Sequence, residues 1–295
     1  ANTTACDNTA MGCGALAANT TGDFNTAVGF TALTANTTAD NNTAIGHMSL
    51  KTNNGSGHHN TAVGAFSLNS NTTAADNVAI GVNAMYANTT GASNVAVGAE
   101  ALDANTTGAE NTAVGRFALT SNTEGGQNTA VGVCALEANT TGADNVAVGR
   151  KALDANTTAA NNTALGNAAL RANTTGANNT AVGYIALCAN TTGSCNVAIG
   201  RDALDSNTEG SSNVAVGTDT LQANTTGGSN IAIGDDALKG NSTASFNIGI
   251  GATALQNNQT GTSNTAVGYQ SLPSNTVSNN TALGFCSLHE NTTGT

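Results

Sequence analysis

The chain has 295 residues, of which 3% are aromatic and 8% charged, and it contains no Trp and a single Pro. A globular core of this size is normally filled with large side chains, so this composition argues against an ordinary globular domain. The formal net charge is −11 and the sequence contains no basic cluster, which excludes a typical nucleic-acid interface. The sequence also lacks an apolar run of about 18 residues, so it predicts no membrane-inserted helix.

An internal repeat runs through the chain. Its conserved part reads Asn-(Thr/Val/Ile)-Ala-(Val/Ile/Leu)-Gly, with Met11 and Gly249 as the exceptions, and the leading Asn occurs at 8, 25, 42, 60, 77, 94, 111, 128, 145, 162, 179, 196, 213, 230, 247, 264 and 280. The step is 17 residues, apart from one step of 18 through Asn53–His59 and one step of 16 that contains Pro273. Apolar residues that recur at fixed positions favour an ordered repeat protein over a disordered chain.

Each repeat, numbered from its leading Asn as position 1, predicts two short strands and two turns. Positions 2–4, such as Val95–Val97, have strand propensity, and Gly98 at position 5 can adopt positive φ. The second predicted strand lies within Ala101–Thr107, because Asn-Thr-Thr-Gly is unfavourable in a helix and helical repeats need about 33 residues. The sequence therefore predicts an all-β fold, a β-solenoid (β-roll or β-helix) of about 17 coils with two short parallel strands per coil. It is expected to form one tandem-repeat domain over 1–295 that is uncapped at both ends.

Stacked coils place equivalent residues about 4.8 Å apart in columns. Positions 4 and 9 are expected to form the aliphatic interior, represented by Val97, Leu102, Val114, Leu119, Val148 and Leu153. Positions 1 and 12 are expected to form amide ladders, represented by Asn94, Asn105, Asn111, Asn145 and Asn156.

Position 3 of the first strand is Ala in nearly every copy, and strand alternation places it on the face opposite to position 4. Two interpretations stay open. Either the Ala column lies on a partly exposed wall, or Ala96, Ala113 and Ala147 represent a stripe against which another protomer packs closely.

The sequence predicts no enzyme, because it contains no nucleophile elbow, phosphate-binding loop, Ser-His-Asp set or paired catalytic carboxylate. No cofactor is expected either. His58 and His59 are adjacent but lack further ligands, so no metal site is predicted. Two cysteine pairs with a spacing of seven, Cys6 with Cys13 and Cys188 with Cys195, are candidate disulfides in an oxidising compartment, and the alternative is that they are small apolar residues.

The pentapeptide Asn196-Val197-Ala198-Ile199-Gly200 resembles the head repeats of trimeric autotransporter adhesins, which carry a Ser/Asn-Val-Ala-Ile-Gly core. Other copies are similar to Asn-Thr-Ala-Val-Gly repeats in fibre proteins of phages and bacteria. The likeness covers nearly the whole chain, but only five residues per coil are specific. It implies left-handed β-rolls that trimerise and take part in adhesion.

These patterns predict an extracellular structural protein, located in a cell-surface appendage or virion fibre, that forms a rigid fibre, a filament or the shaft of a surface adhesin. The expected partner is the chain itself, in a head-to-tail filament or a homotrimer, with no nucleic acid and no membrane insertion. A host or surface ligand would meet the variable columns, such as Arg116-Phe117. The alternative is an ice- or polysaccharide-binding solenoid that uses the Thr106 and Thr107 columns, although Glu124 and Glu209 interrupt the second of these columns.

Overall fold

A computed structural model describes residues 4–292 and Gly294. The described residues form 17 strands of three residues each and no helix, so none of them belongs to a helix capable of crossing a membrane. The strands are β1 (Thr9–Met11), β2 (Thr26–Val28), β3 (Thr43–Ile45), β4 (Thr61–Val63), β5 (Val78–Ile80), β6 (Val95–Val97), β7 (Thr112–Val114), β8 (Thr129–Val131), β9 (Val146–Val148), β10 (Thr163–Leu165), β11 (Thr180–Val182), β12 (Val197–Ile199), β13 (Val214–Val216), β14 (Ile231–Ile233), β15 (Ile248–Ile250), β16 (Thr265–Val267) and β17 (Thr281–Leu283).

The chain divides into two compact units, Ala1–Asn145 and Val146–Thr295. In the first unit β1 to β8 pair in chain order as a parallel sheet, and in the second unit β9 to β17 do the same. The register joins equivalent positions, so that Ala96 pairs with Ala79 on one side and with Ala113 on the other. The predicted fold class, a β-solenoid of stacked 17-residue coils, is confirmed.

The prediction of a second strand in each coil is wrong. Positions 7, 9 and 17 have left-handed backbones, as at Glu100 (φ 58°), Leu102 (φ 55°) and Glu110 (φ 60°). A residue with positive φ turns the chain and interrupts extended structure, so Ala101–Thr107 winds as consecutive turns. Its backbone still bonds to the next coil, because Leu102 N–H donates to the Ala118 carbonyl at 2.9 Å and Thr106 N–H to the Thr123 carbonyl at 2.9 Å.

The two faces of the strand are the reverse of the prediction. Ala96, Ala113 and Ala147 are fully buried within their own coils, so they are not a surface stripe for another protomer. Position 4, predicted as core through Val97, Val114 and Val148, instead faces outward, and Val148 is 38% exposed. Leu102, Leu119 and Leu153 at position 9 are fully buried, as expected.

The physical reason for this reversal is the narrow space between the strand and the Leu column. At Gly249, the one copy without a methyl group at position 3, an added Cβ would lie 3.2 Å from Leu238 Cγ of the preceding coil. A branched side chain at position 3 would therefore overlap the leucine, and the larger aliphatic residues are placed outside. Sequence alternation identified the two faces correctly but not which of them the coil encloses.

The five residues that represent the two predicted Asn columns, Asn94, Asn105, Asn111, Asn145 and Asn156, are fully buried. At position 12 the side chains form a direct ladder, in which Asn122 Nδ2 donates to Asn105 Oδ1 at 2.9 Å, and Asn173 continues it from Asn156 in the second unit. At position 1 the side chain mainly bonds to backbone, since Asn111 N–H donates to Asn94 Oδ1 at 2.9 Å and Asn145 N–H to Asn128 Oδ1 at 3.0 Å. Buried amides of this kind are stabilising only when paired, which the stacking ensures.

In the two irregular repeats, the added or missing residue lies in the turn after position 12. In the 18-residue repeat, Asn53 Nδ2 donates to the Gly57 carbonyl, one residue further along than usual, and still reaches Asn36 Oδ1 at 3.1 Å. In the 16-residue repeat, Asn275 Nδ2 donates instead to the Val277 carbonyl, and the buried Asn258 Oδ1 has no partner among the described residues. One added residue therefore preserves the ladder, whereas one deleted residue interrupts it.

Candidate functional site

Three surfaces of the coil face outward in each unit, and they differ in chemistry. We call them the strand wall (positions 2 and 4 of the strands), the variable wall (positions 6, 7 and 10) and the threonine wall (positions 13 and 14). Position 17, in the turn to the next coil, is also exposed, as at Phe24 and Phe246, and the remaining positions are interior, glycine turns or connecting segments.

The strand wall is an uncharged stripe that is apolar at position 4. Position 2 is Thr, Val or Ile and position 4 is Val, Ile, Leu or Met in all 17 copies, so neither position ever carries a charge. Ile45, Ile80, Ile199 and Ile233 are 39–40% exposed. Eight strands at about 4.8 Å give the stripe of the first unit a length of roughly 35 Å. A regular, uncharged surface with an exposed apolar residue in every coil is typical of an association surface.

The variable wall contains the chemically diverse residues. All seven basic residues lie on it: Lys51, Arg116, Arg150, Lys151, Arg171, Arg201 and Lys239. Seven of the nine aromatic residues also lie on it: Phe30, Phe66, Tyr86, Phe117, Tyr184, Tyr269 and Phe285. Position 17 also varies, from Phe24 to Asp144. Stacking restricts the interior positions, whereas side chains on the variable wall are free to differ between coils.

In the first unit, four consecutive coils carry a strip of ring side chains on the variable wall. Phe30 stacks on His47 with ring centroids 5.5 Å apart, His47 meets Phe66 edge-on at 4.9 Å, and Phe66 meets Tyr86 at 6.4 Å. The strip leads to a groove of about 360 Å³ lined by Phe66, Asn83, Tyr86 and Asp103.

Asp103 has an unusual environment at the end of this groove. Its Oδ1 atom is buried and has no hydrogen-bond partner among the described residues. Burial, with a smaller contribution from the nearby Glu100 carboxylate, raises the pKa of Asp103 above its usual value of 3.8. In the sequence, Asp103 is one of many scattered acids and was not predicted as a site residue. The one sequence feature that links it to the groove is its place at position 10, in the coil next to that of Tyr86.

In the second unit the variable wall carries a ladder of ion pairs. Arg201 bonds to Asp202 at 2.7 Å and to Asp219 at 3.4 Å, and Lys239 bonds to Asp219 at 3.0 Å and to Asp236 at 2.9 Å. The bonds to Asp236 and Asp219 raise the pKa of Lys239. The two cations offset two of the three carboxylates, so the ladder connects neighbouring coils and does not present a strong field of one sign.

The threonine wall is partly occupied by internal bonds. Thr106 Oγ1 donates to the Thr123 carbonyl at 3.0 Å, and Thr89, Thr174 and Thr191 make the same bond to their next coils. The position-13 hydroxyls are therefore committed as donors, while position 14, as at Thr107, is exposed. The threonine wall therefore offers fewer free hydroxyl donors to a ligand than the two Thr columns of the sequence suggested.

The structure contains neither the Cys6–Cys13 nor the Cys188–Cys195 disulfide, because all four of these residues are thiols. The members of each pair occupy different positions of the repeat, and Cys195 lies in the left-handed turn at position 17 (φ 60°), away from position 10, which Cys188 occupies. His58 Nδ1 accepts from Asp40 N–H at 3.0 Å, and His59 Nδ1 lies 3.2 Å from Asp76. Over residues 4–292 and Gly294, no group of three or more His, Cys, Asp or Glu residues is placed to hold a metal ion.

Comparison of the chain with models of known protein families finds no match, and comparison with curated proteins finds none either. Any functional conclusion therefore depends on the walls and groove described above.

Proposed function

We propose that this chain is an extracellular structural protein of a rigid fibre or surface appendage, in which copies of the chain associate side by side through their strand walls. The observation that carries the proposal is the charge-free stripe of positions 2 and 4, in which position 4 is always apolar and position 2 is Thr, Val or Ile. Every repeat contributes one apolar and one β-branched side chain, so the association free energy grows with the number of stacked coils.

The partner that best fits this stripe is another copy of it. Side chains on the strand wall recur at the spacing of parallel strands, and an identical stripe repeats at the same spacing and interdigitates at every coil. The chain has a formal charge of −11, which disfavours close approach of copies elsewhere on their surfaces. Three stripes that meet about one axis form a closed homotrimer, and the resemblance of the Asn-Val-Ala-Ile-Gly copies to trimeric adhesin heads supports this arrangement.

The experiment combines sedimentation with electron microscopy of the native chain. We expect a defined oligomer in sedimentation and slender rods in negative stain, whereas continuous filaments would favour end-to-end assembly over side-by-side association. In the test variant, Val114→Asp and Val131→Asp place carboxylates on two neighbouring repeats of the strand wall, and we expect it to sediment as a monomer. The control carries Thr90→Asp and Thr107→Asp on the threonine wall, where Glu124 shows that an acid is tolerated.

Two outcomes contradict the proposal. One is a native chain that stays monomeric at all accessible concentrations. The other is a Val114→Asp, Val131→Asp variant that assembles as well as the control.

The alternative function, binding of ice or polysaccharide through the threonine wall, has less support. The position-13 hydroxyls donate to backbone carbonyls and are not free to donate to a ligand, and Glu124 and Glu209 place charge at position 14. Thermal hysteresis measured at high protein concentration tests the ice-binding form directly, and we expect none.

A further inference from the structure

We propose that the ring strip and groove on the variable wall of the first unit bind a neutral, extended oligosaccharide, with sugar rings against Phe66 and Tyr86 and sugar hydroxyls on Asp103. The inference goes beyond the proposed assembly and does not depend on it, because the groove is formed by residues of one chain and lies outside the strand wall.

The rings of the strip form a line along the variable wall. Four consecutive coils each contribute one ring, and the centroids of neighbouring rings lie 4.9–6.4 Å apart. The four residues are Phe30, His47, Phe66 and Tyr86. Phe30 and Tyr86 remain 48% and 42% exposed, although burial is the normal state of large aromatic residues. A line of exposed rings suits a linear ligand with an apolar face in each unit, and pyranose rings present such a face through their C–H groups.

Polar side chains lie at the end of this line of rings. Asp103 lines the groove and its side chain is only partly buried, so the accessible part of the carboxylate can accept hydrogen bonds from a ligand. Sugar hydroxyls are donors that a carboxylate accepts well, and the Asn83 amide lines the same groove. The volume of about 360 Å³ lies at the lower end of the range for small-molecule sites.

The charges around the groove favour a neutral ligand. Asp103 and the neighbouring Glu100 disfavour an acidic or sulfated glycan. A quaternary ammonium group also suits aromatic rings beside a carboxylate. However, the strip continues through His47 to Phe30, well beyond the size of such a cation, which favours a chain of sugars.

The test uses the full chain and hexasaccharides of β-1,4-glucan, α-1,4-glucan and β-1,3-glucan, measured by titration calorimetry. We expect at least one of them to bind, and Phe66→Ala and Tyr86→Ala each to weaken binding by about tenfold through loss of ring contacts. Asp103→Asn should weaken it severalfold. Tyr184→Ala is the matched control, because Tyr184 is an exposed ring on the variable wall of the second unit, and it should leave binding unchanged.

A second measurement needs no variant and remains decisive if an alanine variant fails to fold. Hydroxyl-radical footprinting of the native chain should show that the bound hexasaccharide protects Phe66 and Tyr86 but not Tyr184. The proposal is overturned if no neutral hexasaccharide binds, including the case in which only tetramethylammonium or a sulfated glycan does. It is also overturned if a hexasaccharide binds without protecting Phe66 and Tyr86.

Discussion

The Asn105 side chain connects two coils at once, since its Nδ2 donates to Asn88 Oδ1 of the preceding coil at 2.8 Å and to the Gly108 carbonyl of its own coil at 2.9 Å. Its Oδ1 in turn accepts from Asn122 Nδ2 at 2.9 Å. The amide is fully buried and water cannot reach it, so these bonds are its only means of satisfying its polar atoms. The position-12 column therefore holds both the turn within a coil and the stacking between coils.

Replacing Asn105 by Ala should destabilise the chain strongly. The substitution leaves Asn88 Oδ1 and one Asn122 N–H buried without their partners, at a cost of about 2–4 kcal/mol. The Gly108 carbonyl is less affected, because it also accepts from Asn94 Nδ2. Urea denaturation followed by circular dichroism measures the loss. Thr107→Ala, on the exposed threonine wall, is the control and should stay within about 0.5 kcal/mol of the native chain. Equal stability of the two variants would show that the ladder is dispensable.

Much of this fold could be predicted from the sequence, because the 17 copies of the repeat show which positions keep the same residue type and which vary. Constancy at position 9 and at the two Asn positions predicted burial and stacking, and Leu102 and Asn105 lie where they were expected. The inward direction of Ala96 could not be predicted, since it depends on the distance between strand and Leu column, which no single position encodes. The prediction of a second strand was wrong for a similar reason, because nothing in the sequence around Leu102 indicates a left-handed backbone.

The candidate groove was less predictable than the fold. Repetition identified the variable positions, but it carries no information on which variable side chains meet. Phe66 lies at position 7 and Tyr86 at position 10, in adjacent coils, and their contact depends on the turn geometry between these positions. The unpaired state of Asp103 Oδ1 depends on burial by neighbours that the sequence pattern does not specify.

The reversed strand faces lead to a paired test at neighbouring residues. Ala113→Val adds two methyl groups to the space occupied by the Leu column and should cost about 1–3 kcal/mol. Val114→Thr changes the outward residue to one of nearly the same shape and should leave stability within about 0.5 kcal/mol. Urea denaturation at a protein concentration where both variants have the same assembly state separates folding from association. If Val114→Thr were the more damaging change, the assignment of the inner face would be wrong.

Glycine at position 5 is required by both backbone conformation and space. Gly115 has φ of 136°, and a Cβ there would lie 2.5 Å from the Gly132 carbonyl oxygen of the next coil. Gly115→Ala should therefore cost at least about 2 kcal/mol, because neither the dihedral angle nor the stacked backbone can accommodate it. The control is Gly126→Ala, at position 16, where Ala109 occupies the equivalent place in the preceding coil. Thermal unfolding of both variants checks the prediction, and similar losses would contradict it.

Asp205 should make the stability of the chain depend on pH. Burial raises the pKa of Asp205 above 3.8, although the hydrogen bond from Ser206 at 3.0 Å opposes the shift and Asp202 adds to it. The folded chain therefore holds this proton more tightly than the unfolded chain, and stability falls as pH rises through the raised pKa. Asp205→Asn keeps an acceptor for Ser206 and removes the titration. Its melting temperature should match the native chain below pH 3.8 and exceed it at pH 7, as measured by calorimetry. A native advantage at pH 7 would contradict the sign.

The free thiols should differ in reactivity in a way that also tests the absence of disulfides. Burial raises the pKa of the Cys188 thiol, with the Arg171 charge opposing the shift, whereas Cys195 is exposed. Because the thiolate is the reactive form, iodoacetamide at neutral pH should label Cys195 severalfold faster than Cys188, as followed by peptide mass spectrometry. In concentrated urea the two rates should become equal, since unfolding removes the burial that separates them. A Cys188–Cys195 disulfide in a non-reducing digest, or equal rates in the folded chain, would contradict the structure at this position.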